Sequence, residues 1–111
     1  MTNEEVNTLI SGIATAIKCD YAYSLFKSGK RTRFLIFYYN GADDLYADGT
    51  NYQEIDNLTV EFYAPKKEIN TEKTIQKMLN DAGLTYDKFS AYISSESLNL
   101  TTYTMEVIIN G

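Results

Sequence analysis

The sequence predicts a single α+β domain in which a largely antiparallel sheet carries helices packed on one face, and three observations point that way. Two segments repeat apolar residues with the 3.6-residue period of a helix that buries one stripe. The segments between and after them alternate with period two, or are apolar throughout, and are bounded by turn formers. The chain has 111 residues, room for one modest core. The predicted order over residues 1–111 is helix, three strands, helix, two strands, with no linker, repeat or second domain.

The first helix has the clearest signal. Val6, Leu9, Ile10, Ile13, Ala14 and Ile17 form one apolar stripe. Thr2 and Glu5 have the spacing of a capping box, and Glu4-Glu5 suits the positive end of a helix. Lys18 sits where a C-terminus prefers a cation. Gly12 interrupts the helix, at a cost of about 1 kcal/mol relative to alanine, unless the missing side chain admits a neighbouring element.

"YAYSLF" (Tyr21–Phe26) reads as a short strand and "KSGKRTR" (Lys27–Arg33) as an exposed basic turn. "RFLIFYYN" is apolar on both alternating faces, with Phe34, Ile36 and Tyr38 on one and Leu35, Phe37 and Tyr39 on the other. Such a strand belongs in a sheet covered on both sides. Helices can cover one face, which leaves a partner subunit as the lid for the second. Leu35, Phe37 and Tyr39, with Tyr46 and Tyr52 downstream, are the candidate interface.

"NGADDLYADGTNYQ" (Asn40–Gln53) is rich in turn formers and reads as a long hairpin end or a loop. In "NLTVEFYA", Leu58, Val60, Phe62 and Ala64 share a face. Ile55 is out of register with them, which predicts a strand start or bulge near Asp56-Asn57. Pro65 ends the strand. Asn70 or Thr71 can cap a second helix lined by Ile75, Met78, Leu79 and Ala82, and Gly83 supplies its left-handed stop. "FSAYIS" and "TYTMEVII" follow as strands, joined through Ser95–Asn99, with Tyr103, Met105, Val107 and Ile109 on one face of the last.

Composition excludes several kinds of chemistry. The net charge of −5 disfavours nucleic acid as the main partner, since phosphate binding needs a basic stripe. An acidic domain can still act as a mimic or dock on a basic protein surface. No charged-then-apolar leader is evident, and "FLIFYY" is too short to span a bilayer, so no membrane role is expected. The sequons at Asn57 and Asn99 have no secretion signal to give them meaning. The single cysteine, Cys19, fits a reducing compartment and a small half-buried hydrophobe.

Histidine is absent, which removes the commonest general base and the commonest nitrogen ligand for a metal. The acidic segment from Asp44 fails as a calcium loop, because Tyr46 and Ile55 stand where oxygen ligands belong. No glycine pattern cradles phosphate. The expectation is therefore no enzyme, no cofactor, no metal and no small-molecule substrate. The remaining signals concern surfaces. Lys27, Lys30, Arg31 and Arg33 form a basic cluster, and Asp43, Asp44 and Asp48 an acidic one; both are candidate electrostatic contact loops. Ten tyrosines suit either strand propensity or an interface.

"VEFYAPKKE" followed by a helix, then "YISSESL" and "TYTMEV", resembles a family of small head–tail joining proteins from siphophages and prophages of Gram-positive bacteria. The resemblance lies in Glu61, Tyr63, Lys67 and Glu68, then Tyr92, Ile93, Glu96 and Leu98, then Tyr103 and Glu106, and in the strand, turn and aromatic-acidic segment upstream. It covers most of the chain, and Pro65 departs from it. The resemblance implies a tail-terminator or tail-completion subunit. Such a subunit assembles in the host cytoplasm into a ring, typically a hexamer, and partners other neck and tail proteins in the virion. It carries over no site residue, because that function lies in surfaces. Two alternatives stay open: another minor virion protein such as a head-closure subunit, and a monomeric acidic inhibitor of a host protein.

Overall fold

The computed structural model describes residues 1–26, 31–47 and 51–109; within 41–47 and 51–54 it describes the backbone alone. Two helices and five strands appear among them: α1 (Asn3–Ile17), β1 (Asp20–Tyr23), β2 (Phe34–Ala47), β3 (Asn51–Ala64), α2 (Ile69–Asp81), β4 (Tyr86–Ile93) and β5 (Leu98–Ile109). The strands form one sheet in the order β1-β2-β3-β5-β4. Only β1 against β2 is parallel; the other pairings are antiparallel. The α+β class and the element order are those the sequence predicts.

Local hydrogen bonds fix the start of α1 and the ends of both helices. Thr2 Oγ1 accepts from the Glu5 N–H, and Glu5 Oε1 accepts from the Thr2 N–H, which completes the capping box. α2 begins earlier than predicted. It starts at Ile69 behind Glu68, and neither Asn70 nor Thr71 occupies the cap position. Both helices end in the same two-bond motif: Cys19 N donates to Ala14 O and Lys18 N to Thr15 O, as Leu84 N does to Leu79 O and Gly83 N to Asn80 O. The left-handed residue is Gly83 (φ 81°) after α2 but Lys18 (φ 60°) after α1. Lys18 thus turns the chain rather than merely placing a cation there.

The sheet corrects two sequence expectations. Residues 40–47 and 51–53, expected as part of a long excursion or a loop, lie in strands: β2 and β3 stay paired as far as Ala47↔Asn51, and residues 48–50 lie outside the described residues. Asn40-Gly41 makes a bulge instead of a turn. Tyr39 pairs with Leu58 and Ala42 with Asp56, so β2 spends two residues opposite Asn57. The predicted irregularity near Asp56-Asn57 therefore exists, but on the facing strand. Thr59 Oγ1 donates to Asn40 Oδ1 (3.1 Å) beside it. β1 is also shorter than predicted, because Ser24 turns into the left-handed region (φ 68°) while its N–H still reaches Phe37 O.

Both helices cover the same face of the sheet. The core joins Val6, Ile10, Ile13, Ala14 and Ile17 of α1 to Ile75 and Leu79 of α2. Beneath them lie Leu35 and Phe37, then Leu58, Val60, Phe62 and Ala64, then Tyr103, Met105, Val107 and Ile109. Full burial of each large aliphatic or aromatic side chain is worth about 1.5–3 kcal/mol, so this layer dominates stability.

Candidate functional site

Side chains alternate across a strand, so helices on one face leave every second strand residue on the other. On β2, Leu35 is 0% exposed and Phe37 4%, both in the helix-covered core. Tyr39 is half-buried on the same side, and its hydroxyl donates to Asn3 Oδ1 (3.1 Å) at the start of α1. Leu35, Phe37 and Tyr39 of the predicted interface set are thus side chains the chain packs against its own helices. The sequence showed that both faces of β2 are apolar but held no sign of which one the helices take. Tyr46 and Tyr52 pair across the backbone ladder, and their side chains lie outside the described residues.

The uncovered face carries Phe34, Ile36 and Tyr38 from β2, and by register Ile55, Glu61 and Tyr63 from β3. Leu100 and Ile108 of β5 and Phe89 of β4 extend it. Phe89, in the middle of β4, is 64% exposed, and Ile108, near the end of β5, is 43% exposed, high values for large apolar side chains.

Hydrogen bonds order the centre of this face. Tyr38 Oη donates to Glu61 Oε2 and Tyr63 Oη to Glu61 Oε1, both at 2.8 Å. Burial and then the Glu61 carboxylate push both phenols above their ordinary pKa. The Phe34 ring stacks on Tyr63 at 4.6 Å between centroids, and Phe26 meets Phe34 edge-on at 5.5 Å. The Arg31 guanidinium lies 3.9 Å above the Phe26 ring, and its Nε donates to Asp20 Oδ2. An aromatic row with one bridging carboxylate suits side-on protein contact.

Arg33, expected in a contact loop, is engaged by the chain's own elements. Its Nε and Nη2 donate to the two Glu68 oxygens at 2.9 and 2.8 Å, while Nη1 donates to Ile17 O at 2.7 Å. One guanidinium thereby ties the end of α1, the start of β2 and the start of α2. Hydrogen bonding from Arg33 holds the Glu68 carboxyl below its usual range. Of the remaining contact-loop candidates, Lys27, Lys30 and Asp48 lie outside the described residues, as do the side chains of Asp43 and Asp44.

A second polar centre was missed at the sequence level. Glu72 is 3% exposed and meets Lys67 Nζ at 3.0 Å and Lys88 Nζ at 2.8 Å. Burial alone would raise its pKa, but hydrogen bonds from Lys88 and Lys67 outweigh that and hold the carboxyl low. A signal existed, since Glu72 lies three and seven residues before Ile75 and Leu79, on the apolar stripe of α2. Several residues that carry the family resemblance are now placed: Glu61 and Tyr63 on the open face, Lys67 and Glu68 in the ion pairs, Tyr103 in the core.

Cys19 borders a shallow cleft of about 450 Å³ that is also lined by Thr15, Tyr21 and Phe26. Burial pushes its thiol up to about 11, so it is a poor nucleophile at neutral pH. Among the described residues no three His, Cys, Asp or Glu gather as a metal site, and no helix is long and apolar enough to cross a membrane.

No family model matches the chain, and no curated protein does. A solved structure does match: a chain from the virion of a native gene transfer agent particle, at a TM-score of 0.64 and 11% identity. The match covers 96% of this chain and 92% of that one. At that identity what is shared is the fold, over nearly the whole of both chains.

Proposed function

We propose that this chain is a structural virion subunit of the phage neck or tail end, a tail-terminator or tail-completion protein that assembles into a ring, typically a hexamer, between tail tube and head. The observation that carries the reading is the end-to-end fold match to a chain of a phage-like virion particle. The open aromatic sheet face supports it, because a subunit that acts by association needs apolar surface left over after folding. The resemblance at Glu61, Tyr63, Lys67 and Glu68 points the same way. The proposed mechanism is association in place of catalysis, within the virion, after assembly in the host cytoplasm.

Disruption of the gene in its phage or prophage tests the role. The expected result is separate heads and tails in electron micrographs, restored to joined particles by the gene supplied in trans. Joined, infectious particles without the gene would sink the proposal.

A further inference from the structure

The two sides of the subunit differ in charge as well as in cover. Among the strand residues whose side chains are described, those that are charged and lie on the open face by register are Asp20, Glu61, Asp87 and Glu106, all carboxylates. Asp20 is engaged by Arg31, whereas Glu61 holds only phenol hydroxyls and has no ion pair among the described residues. The helix side has the opposite sign along α2. Ile69, Lys73 and Lys77 recur at four-residue intervals on its exposed stripe, and Lys66 lies just before it. Lys66 and Lys73 make no ion pair among the described residues; Lys77 is paired within the helix to Asp81.

Each surface also has an apolar element to bury. Phe89 and Ile108 stand out from the open face. Ile69 and Tyr92, each 60% exposed, stand out on the helix side, Tyr92 on the same side of β4 as Lys88. α1 has the wrong sign to share this role, since its first turn carries Glu4 and Glu5.

We infer that the open sheet face of one copy seats on the α2 stripe of a second copy, the carboxylates around Glu61 meeting Lys66 and Lys73. Two copies joined open face to open face would set Glu61, Asp87 and Glu106 against their own kind, which like-charge repulsion disfavours. Sheet face to helix stripe pairs opposite signs. Because the contact joins two different surfaces on opposite sides of the subunit it is heterologous, and it builds a ring where the rotation from copy to copy closes and a filament where it does not. The inference rests on the ring reading and names the surfaces that would build the ring.

Two double charge reversals of the full chain test it, both at exposed positions outside the core: Asp87→Lys with Glu106→Lys on the sheet, and Lys66→Glu with Lys73→Glu beside and on α2. Thermal melts confirm that each is folded, and light scattering over a concentration series reads association. Each variant alone should need about tenfold or more protein than wild type to associate. An equimolar mixture should recover wild-type association, because every contact in an alternating assembly again pairs opposite signs. Unimpaired association of either variant overturns the inference, as does a mixture that stays dissociated. A wild-type chain that stays monomeric throughout overturns it too, while the neck role still stands or falls by the gene disruption.

Discussion

At residue scale, two carboxylates carry more of the fold than their number suggests. Glu72 is buried between two lysines, so Glu72→Gln removes the charge that satisfies them and should destabilise the protein by about 1–3 kcal/mol in urea unfolding. Both Glu68 and Glu72 have folded pKa values below the usual carboxylate value. Their contribution is complete above that value and is lost as pH falls through the folded ones. Stability should therefore fall on acidification below about pH 4.5, and Glu72→Gln should flatten that acid limb. Neither role was fully legible in the sequence. Glu72 could be found from its place on the α2 stripe, but the Arg33–Glu68 pair joins residues whose proximity only the fold creates.

At element scale, the periodic segments were legible and the choice between faces was not. The α1 stripe, its capping box and the Gly83 stop follow from local sequence, because the interactions that fix them lie within a few residues. Which apolar face of β2 the helices take depends on how all the strands pair, and no local pattern encodes that. The assignment has a direct test. Phe37→Glu should abolish cooperative unfolding, because it buries a charge in the core, whereas Ile36→Lys, on the opposite face, should keep a cooperative melt. Gly12 offers the reverse case. A Cβ there would meet Met78 Cε at 3.8 Å, an ordinary contact, so the position does not require glycine. Gly12→Ala should raise stability by about 1 kcal/mol, visible as a higher melting temperature.

For the whole molecule, the arrangement separates what stabilises the subunit from what remains for partners. The helices and the inner sheet face form the core, and the polar clamps at Arg33 and Glu72 fasten helices to strands on that same side. The outer face keeps aromatic area and negative charge. Association through that charge should weaken with salt: raising ionic strength from about 0.05 to 0.5 M shortens the screening length several-fold. Light scattering should then show the multimer fraction fall at fixed protein concentration. The long β2–β3 pairing was hidden in the sequence because Asn40-Gly41 has turn composition, and a bulge uses the same residues as a turn.

The Glu61 bridge also gives the protein an optical consequence. The chain has no tryptophan and ten tyrosines, so its near-ultraviolet emission is tyrosine emission. A phenol that donates to a carboxylate passes its excited-state proton across and emits weakly, and Tyr38 and Tyr63 both donate to one carboxylate. Tyr38 and Tyr63 should therefore be dim while Glu61 serves both phenols. Glu61→Gln should brighten the isolated subunit, and a lysine that draws the carboxylate away on docking should do the same. Fluorescence would then report occupancy of this surface without a label.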